Sequence, residues 1–439
     1  MRSRLGRLWS AYGMAGVLVA LCVAFTWATW REESPAGAAG GAQLAEALRA
    51  RIGQGGGLLV APDDAEGRAF ADGFARAAAR LGALPPEATF GDPPAVRAAI
   101  ERRVARGAAP RWVATTQAVR DWAVWGSLRS GTPELARLEV LAPKPVWRST
   151  FLSTSNLRNV ADQTAVIAII AVGMTMVIIT GGIDLAVGSL VALSAVAVAW
   201  LIRAAGGEGA SAPAMLGASA AACALCGAVG AFSGSMVTRF AVPPFIATLA
   251  MMLVASGLAY IVAEGQSIYD IPVSFTWLGR GADLAGLPNA VALMIVLYLG
   301  AHVVMTRTAI GRRIYAVGGN AEAARLSGIS VARTLLFVYV VSGLTAGVGG
   351  VITASQLKAG SPTYGMMLEL YVIAAVVVGG TSLSGGEGRV FGTLIGAFVI
   401  AVIRNGMNLL DVEAYAQKVV LGLVILGAVL LDRWKRRRA

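Results

Sequence analysis

Charged residues are scarce in this sequence, and only a few of its 439 residues are lysine, histidine or cysteine. Asp, Glu, Lys and Arg together make up 14% of the chain, whereas a soluble domain carries about 25% of them. Hydrophobic residues make up 56% and lie in blocks long enough to cross a bilayer, which takes about 20 helical residues. The shortage of charge therefore excludes an ordinary soluble protein and predicts a polytopic membrane protein.

The few lysines exclude one kind of nucleotide site. A phosphate-binding P-loop needs a lysine directly after a glycine, and none of the four lysines follows a glycine. The segment GGTSLSGGEGR (379–389) contains LSGGE, which differs at one position from the LSGGQ signature of ABC transporter ATPases. Because the chain has no P-loop lysine and this segment lies between two hydrophobic runs, the sequence does not predict a complete ATPase.

Residues that carry chemistry are equally sparse. Cys22, Cys223 and Cys226 lie in apolar stretches, which indicates packed side chains and neither disulfides nor a metal site. For His302, the single histidine, we favour a packed side chain over a proton relay. No catalytic triad, paired-carboxylate site or metal cluster is recognisable, so we expect no enzymatic activity, metal or cofactor. The net charge is +12, but the sequence lacks the pattern of basic residues and stacking aromatics that single-strand binders use. We therefore expect no nucleic acid partner.

The hydrophobic blocks predict an all-α membrane protein with about ten transmembrane helices. The blocks lie at about 8–30, 162–180, 185–203, 214–237, 243–263, 288–306, 334–354, 368–382, 391–409 and 417–432. The loop between the sixth and seventh blocks contains five arginines, and the tail at 433–439 is basic. The positive-inside rule places both in the cytoplasm, and counting back then places both termini in the cytoplasm. For the first block, within 1–30, we favour an uncleaved anchor over a signal peptide.

Residues 31–150 differ from the rest because they contain no spanning segment. Strands are predicted at 56–64, 110–116 and 135–143, and helices are predicted at 67–81, 95–106 and 118–129. Strands that alternate with helices indicate a parallel α/β layer. Counted from a cytoplasmic N-terminus, this α/β insert is extracytoplasmic and lies between the anchor and a membrane domain at 151–432.

From Phe151 onward, four blocks of sequence carry a resemblance to one family. They are FLSTSNLRNVADQTAVIAIIAVGMTMVIITGGIDLAVGSLVAL (151–193), VPPFIATLAMM (242–252), GRRIYAVGGNAEAARLSGISVART (311–334) and VVVGGTSLSGGEGRVFGTLIGA (376–397). In this order they resemble the permease subunits of ribose-type monosaccharide ABC importers, in the branched binding-protein-dependent transport family. The resemblance covers nearly the whole chain apart from the insert. It implies that the chain forms the translocation pathway for a monosaccharide, such as ribose, xylose or galactose, and performs no chemistry itself.

The resemblance also implies partners and a location. A separate cytoplasmic ABC ATPase would bind ATP and power transport, and an extracytoplasmic sugar-binding protein would deliver the sugar. A second permease chain, expected to be an identical copy, would complete the pathway in the lipid of the inner membrane. The alternative is a membrane-anchored ligand receptor or regulator that uses the outer α/β domain. The short basic tail disfavours it, because a receptor needs a signalling domain on the cytoplasmic side.

The segment GGNAEAARLSGI (318–329) lies in the longest predicted cytoplasmic loop. Asn320 is placed to cap a short helix that begins at Ala321, and Gly328 is placed to end it. The resemblance implies that this is the coupling helix, which docks in a cleft of the ATPase, and an ordinary charged loop is the alternative. The residues assigned to this role are Gly318, Gly319, Asn320, Glu322, Ala323, Ala324, Arg325 and Gly328.

Two other glycine-rich segments are candidates for function. TGGIDLAVGS (180–189) interrupts an apolar stretch, either as a broken spanning helix that lines the pathway or as a cytoplasmic turn whose acid caps the next helix. Its candidate residues are Gly181, Gly182, Asp184 and Gly188. In GGTSLSGGEGR (379–389), we favour close helix packing at the cytoplasmic face over direct contact with the ATPase. The residues concerned there are Gly385, Gly386, Glu387 and Arg389.

The insert resembles one lobe of a periplasmic sugar-binding protein. In that resemblance, Asp63 and Asp64, which follow the first predicted strand, would lie near a ligand cleft. An insert of this length cannot build the two lobes that are needed to enclose a sugar. The interpretations are, in order of preference, a docking platform for a separate binding protein, a degenerate lobe kept for stability, and a low-affinity receptor.

Overall fold

The chain divides into two compact units, which are described separately. The computed structural model describes residues 2–52, 54–283 and 286–438. The membrane unit comprises Met1–Thr29 and Thr150–Ala439, and the α/β unit comprises Trp30–Ser149. Met1 of the predicted anchor, Ala439, and the side chains of the predicted basic tail lie outside the described residues.

The first part of the chain contains one helix of the membrane unit and all elements of the α/β unit. They are α1 (Arg2–Ala28), β1 (Trp30–Glu33), α2 (Gly37–Ala47), α3 (Arg49–Ile52), β2 (Gly57–Ala61), α4 (Ala65–Arg80), β3 (Glu87–Phe90), α5 (Pro93–Ala105), β4 (Trp112–Thr115), α6 (Gln117–Arg120), α7 (Val124–Gly131), β5 (Glu139–Leu141) and β6 (Val146–Ser149). Four parallel strands form one sheet in the order β3-β2-β4-β5. Strands β1 and β6 pair antiparallel and bring the two ends of the unit together.

Apolar side chains cover both faces of the parallel sheet. On one face, Leu59 of β2 packs in a core with Phe70 and Phe74 of α4. On the other face, Leu58 packs in a second core with Ile100 of α5. A parallel strand that is buried on both faces needs apolar residues at successive positions, and every residue of β2 is buried. The α/β unit therefore has its own hydrophobic cores.

Capping side chains determine where the first two long helices of this sheet layer begin. Asp64 precedes α4 and accepts a hydrogen bond from the N–H of Gly67 over 2.7 Å. Asp92 precedes α5 and accepts one from the N–H of Ala95. Both acids act as N-caps, which prefer such side chains. The helices begin slightly before the positions predicted from the apolar pattern, because the caps and the following residues lie ahead of the first buried side chain.

The third predicted helix, at 118–129, is wrong as a single element. It divides into α6 and α7, and the chain turns between them. The indole N–H of Trp125 donates to the carbonyl oxygen of Val119 over 2.7 Å. Both of these residues are buried, so the burial of an indole with its hydrogen bond stabilises the turn. Strands β1, β3 and β6 had no counterpart in the sequence prediction.

After Ser149, the membrane unit continues as a series of helices. They are α8 (Thr154–Ile179), α9 (Val187–Ala204), α10 (Ala212–Arg239), α11 (Pro244–Val262), α12 (Trp277–Arg280), α13 (Asn289–Arg307), α14 (Ala309–Gly319), α15 (Ala321–Leu326), α16 (Val331–Leu357), α17 (Leu368–Val378), α18 (Val390–Leu409) and α19 (Ala414–Arg438). Within the described residues, seven helices are long and apolar enough to span a membrane, namely α8, α9, α10, α11, α13, α16 and α18. Shorter apolar helices lie at Gly13–Ala28, Leu368–Val378 and Ala414–Gly427. A polytopic all-α membrane protein is thereby confirmed, and the count of about ten spans stays a prediction.

Small residues allow the central helices of the membrane unit to approach closely. In α8, 89% of the most apolar window is buried, compared with 22% in α11. Gly343 of α16 lies directly against the backbone of Cys226 in α10. Ser194 of α9 donates to the carbonyl oxygen of Gly347 in α16 over 2.7 Å. Such small residues let helix backbones meet in lipid, where no hydrophobic force drives helices together.

The predicted span at 368–382 differs from the other predicted spans. Its helix, α17, has only 11 residues, and the preceding residues, Lys358–Met367, are not helical. We call Lys358–Met367 the irregular segment. Lys358 and Met367 have left-handed φ angles of 52° and 64°, and a proline and two glycines lie between them. These residues oppose helix formation, so the span consists of irregular chain followed by a half-length helix.

Candidate functional site

The three glycine-rich segments singled out in the sequence meet at one place, which we call the glycine junction. It consists of residues 179–182 after α8, 318–319 at the end of α14, and 385–388 before α18. The N–H of Gly386 donates to the carbonyl oxygen of Ile179 over 2.8 Å. A Cβ atom on Gly318 would overlap that same carbonyl oxygen. Backbone contact at this distance is possible only without side chains, which gives the glycines a structural role.

The loop before α18 has a backbone that favours glycine. Gly385 and Gly386 have φ angles of 83° and 76°, which lie in the left-handed region that other residues rarely adopt. The hydroxyl of Tyr315 in α14 donates to the carbonyl oxygen of Gly388 over 2.8 Å. Helix α14 is therefore tied to this loop by a side chain as well as by the packing of Gly318.

The short helix α15 begins and ends as the sequence predicts. Asn320 Oδ1 accepts a hydrogen bond from the N–H of Ala323 over 2.9 Å. Gly328 has a φ of 80°, and the N–H of Ile329 returns to the carbonyl oxygen of Ala324. These contacts form an N-cap and a glycine C-terminal motif. They fix the start of α15 at Ala321, so that only Asn320 separates it from Gly319, the last residue of α14.

The surface of α15 combines one ion pair with small and apolar side chains. Glu322 and Arg325 form an ion pair at 2.6 Å, and their side chains are 65% and 67% exposed. Ala323 is exposed and Ala324 is buried, so only part of the small-residue face is open to a partner. Leu326 is 78% exposed and is the largest apolar side chain of the helix. Leu326 was not among the predicted contact residues, although an exposed leucine beside an ion pair is a signal for contact.

Asp184 lies in the turn between α8 and α9, where it is 2% exposed. Its Oδ1 accepts a hydrogen bond from the N–H of Ala186 over 3.0 Å, and its Oδ2 accepts one from the hydroxyl of Ser342 over 2.7 Å. Ser342 lies near the middle of α16. The acid therefore joins the start of α9 to the middle of a spanning helix, and the N-cap residue of α9 is Ala186 rather than Asp184.

The turn after α8 also faces a buried tyrosine that the sequence analysis missed. Tyr339 of α16 is fully buried, and its hydroxyl has no hydrogen-bond partner among the described residues. A Cβ atom on Gly182 would lie 2.6 Å from this hydroxyl oxygen. Gly182 therefore leaves the space that the tyrosine hydroxyl occupies, while the neighbouring Gly181 supplies a left-handed φ of 78°.

The third glycine of this region, Gly188, has a different neighbour. A Cβ atom on Gly188 would overlap the carbonyl oxygen of Gly365 and the Oε2 atom of Glu369. Gly365 belongs to the irregular segment, and Glu369 lies in the first turn of α17. The start of α9 thus packs against the point where the irregular segment joins α17.

Most of the membrane unit matches a known protein family. Residues 156–429 match the model described as branched-chain amino acid transport system / permease component. The match spans more than half of the chain and includes all three parts of the glycine junction. This chain belongs to that permease family. The sequence prediction of an ABC importer permease is thereby confirmed.

Three individual permeases have sequences similar to this one. The ribose import permease protein RbsC of Escherichia coli strain K12 is 43% identical over 306 residues, which cover 69% of this chain and 93% of the relative. The D-allose transport system permease protein AlsC of the same strain is 38% identical over 283 residues, covering 64% and 85%. The xylose transport system permease protein XylH is 36% identical over 353 residues, covering 66% and 87%. No solved structure matches.

Beside the glycine junction, the permease has a cavity of about 560 Å³. Its lining includes Met305, Tyr315 and Arg389. The ring of His302, which also lines the cavity, packs against Phe391 with the ring centroids 4.8 Å apart. The histidine is therefore a packed side chain in this structure. Arg389 is the N-cap residue of α18 and is exposed.

The two acids singled out in the α/β unit have structural partners. Asp64 caps α4, as described above. Asp63 forms an ion pair with Arg68 at 2.7 Å. Within the residues searched, no group of three or more His, Cys, Asp or Glu side chains could hold a metal ion. At the carboxyl end of β2, Asp64 therefore begins a helix and Asp63 pairs with Arg68, and a ligand cleft beside them stays a prediction.

Proposed function

We propose that the permease forms the translocation pathway of an ABC importer for a monosaccharide. The names of its relatives specify ribose, D-allose and xylose, which are all monosaccharides. The observation that carries the proposal is the glycine junction, because it connects an exposed short helix to the ends of spanning helices. An importer needs such a connection, since its energy comes from a partner outside the membrane.

The route of that energy follows the contacts of α15. A cytoplasmic ABC ATPase would bind the exposed face of α15, with Leu326 as an apolar contact and the Glu322–Arg325 pair at its edge. Because α15 follows α14 after a single residue, a displacement of α15 moves Gly318 against Ile179 and Gly386. The end of α8 and the loop before α18 would then move together. ATP bound by the partner shifts the equilibrium between conformations by binding one of them more tightly.

The remaining parts of the proposal concern partners and orientation. An extracytoplasmic sugar-binding protein delivers the sugar, and a second, identical permease chain completes the pathway. The permease itself binds no cofactor and catalyses no reaction, and ATP stays on the partner ATPase. The arginine-rich loop between α13 and α16 is placed in the cytoplasm by the positive-inside rule. Both termini are then cytoplasmic, and the α/β unit is extracytoplasmic.

The α/β unit serves in this proposal as a docking platform for the sugar-binding protein. Leu84 is 88% exposed and Phe90 is 37% exposed on this unit. We expect the docked binding protein to cover these two side chains. The pairing of Asp63 with Arg68 and the capping role of Asp64 argue against a sugar cleft at the end of β2.

The test is sugar uptake into proteoliposomes that contain the permease, its ATPase and its binding protein. Ribose, xylose, allose and galactose are supplied outside, each with ATP or with a non-hydrolysable analogue inside. We expect accumulation of one of these sugars against its gradient only with ATP. ATP-independent equilibration, or ATP hydrolysis by the purified permease alone, would contradict the proposal. A variant of the ATPase that cannot hydrolyse ATP is the control.

A further inference from the structure

The discontinuous span, made of the irregular segment and α17, has a depth in the membrane that its contacts define. Gly360 packs against Ala195 and Ala199 in the middle of α9. Gly365 packs against Gly188, at the start of α9. The start of α9 is in turn held to the middle of α16, as described above. The irregular segment therefore descends along α9 within the layer that the spanning helices cross.

Helix α17 continues from this point but cannot cross the membrane alone. Its 11 residues measure about 16 Å at 1.5 Å per residue. The hydrocarbon core of a bilayer is about 30 Å thick. The irregular segment therefore makes up the other half of this span.

One side of the discontinuous span is open. Thr363, Met366, Met367 and Leu370 are exposed, and Met366 is 72% exposed. Irregular backbone at membrane depth does not occur against lipid, because lipid cannot satisfy its polar groups. This side must therefore face water or protein.

A charged side chain lies on the same part of the molecule. Arg404 of α18 is exposed, and its guanidinium carbon lies 5.4 Å from the centroid of the Tyr371 ring. Glu369, in the first turn of α17, is half-buried and its carboxylate packs against Gly188, so it does not indicate what the open side faces. Charged groups within a membrane span are costly against lipid and typically line a water-filled route. Arg404 thus favours water over lipid on this side.

We propose that Thr363–Leu370, with Tyr371 and Arg404, forms a wall of the water-filled sugar pathway, and that this wall faces the second permease chain. This proposal rests on the proposed function as a monosaccharide permease. The Thr363 hydroxyl and the Arg404 guanidinium can exchange hydrogen bonds with sugar hydroxyls, and the aromatic ring and methionines can contact the C–H faces of the sugar. Few strong contacts suit a pathway, because conduction requires a substrate that also leaves.

The wall changes the assignment of the turn between α8 and α9. Asp184 is buried and has two hydrogen-bond partners, so it does not line the pathway in this structure. Gly188 contacts Gly365 and Glu369 from behind the exposed side. The residues of this turn are therefore positioning residues that support the wall, while the wall itself is the part that meets the sugar.

The test measures the water accessibility of single cysteines in the assembled transporter. In a chain without Cys22, Cys223 and Cys226, we compare Met366→Cys with Leu253→Cys. Leu253 is 66% exposed in the apolar helix α11 and is the matched control, which we expect to face lipid. A charged, membrane-impermeant methanethiosulfonate should modify Met366→Cys about tenfold faster, because the reactive thiolate forms only where water reaches. A saturating concentration of the transported sugar should slow this modification.

Equal, slow modification of both cysteines would overturn the proposal. So would a Met366→Cys that forms disulfide-linked permease dimers yet never reacts with the reagent, since that result indicates a dry interface between chains. A second variant, Met366→Trp, should lower uptake about tenfold by narrowing the pathway, while Leu253→Trp leaves uptake unchanged. The labelling rates of the two cysteines are compared without sugar. They therefore test whether the wall faces water even if no sugar is taken up and the proposed function is wrong.

Discussion

The α/β unit and the membrane unit stabilise their interruptions of regular structure in different ways. In the α/β unit, Asp64 and Asp92 cap helices at the surface, where water satisfies the remaining polar groups. In the membrane unit, the turn after α8 uses a carboxylate that is 2% exposed, and the glycine junction uses direct backbone contact. The difference shows that a break inside a membrane must be satisfied by other parts of the protein.

This difference also determines what a glycine does in each unit. A Cβ atom on Gly126 of α7, in the α/β unit, would meet no atom within 4 Å. A Cβ atom on Gly318 of α14 would overlap backbone from two other segments. The first glycine costs helix stability without a packing role, whereas the second permits a contact that no other residue permits. Substitutions at these sites therefore test the comparison directly.

The largest effect is expected for Gly318→Ala. The new methyl group overlaps the carbonyl oxygen of Ile179 and the N–H of Gly386, so the three segments of the glycine junction must separate. Loss of this contact and of the hydrogen bond should cost about 3 kcal/mol and lower ATP-driven uptake about 100-fold. The measurement is initial uptake in proteoliposomes, with ATP hydrolysis recorded in parallel.

The neighbouring glycine supplies the control for this prediction. A Cβ atom on Gly319 would meet no atom within 4 Å, so Gly319→Ala should change uptake less than twofold on the general expectation for open sites. Similar losses for both variants would show that helix propensity, and not backbone contact, explains the glycines. Full activity of Gly318→Ala would remove the glycine junction from the route of coupling.

A smaller effect is expected when the α/β unit is removed. Trp30 pairs with Ser149 at the ends of the unit, and the N–H of Thr150 donates to the carbonyl oxygen of Thr29, so a short turn can join the flanking residues. The membrane unit should still assemble with its ATPase. Uptake at limiting binding protein should fall about tenfold, which corresponds to about 1.4 kcal/mol of docking energy.

Raising the concentration of binding protein should restore most of this uptake. If the permease without the α/β unit shows unchanged uptake at every concentration of binding protein, the docking role is contradicted. Such a result would favour a unit that is kept for stability. The isolated unit, expressed as 30–149, should fold alone, because it has its own cores on both faces of the sheet. Cooperative urea unfolding of the isolated unit is the measurement that checks this part.

The sequence predicted well what local pattern and bilayer thickness determine. The apolar run at 391–409 became α18, which begins one residue earlier, and Asn320 caps α15 as expected. The prediction failed where distant segments decide the outcome. Nothing in the sequence near Gly318 indicates that its neighbours are Ile179 and Gly386, because that contact exists only after the helices pack.

The discontinuous span shows a second limit of the sequence. Its apolar residues resemble an ordinary span, and the prediction at 368–382 followed hydrophobicity alone. The glycines and proline that precede it are a local signal for irregular chain, which that prediction left unused. Its depth beside α9 could not be predicted, since depth depends on the contacts of Gly360 and Gly365 with another helix.

A third, smaller effect is expected for the buried acid. Asp184→Asn keeps an oxygen for the N–H of Ala186 and offers an amide where the hydroxyl of Ser342 now donates. One hydrogen bond is weakened while the other is kept, so uptake should fall about threefold, or about 0.7 kcal/mol. Asp184→Ala leaves two buried donors unpaired, so the uptake of this variant should fall further. Equal uptake in all three forms would show that the turn needs no side-chain support.

The smallest effect is expected at the exposed ion pair of α15. Glu322 and Arg325 are both mostly exposed, and such pairs contribute little to stability because water screens them. Glu322→Gln should therefore leave the folding of the permease intact and change uptake less than about twofold. Leu326→Asp, one position after the pair, should lower uptake more strongly, because it places a charge on the apolar contact proposed for the ATPase. If Glu322→Gln abolishes ATPase binding while Leu326→Asp does not, the pair is buried against the partner, and surface charge rather than apolar contact recognises the ATPase.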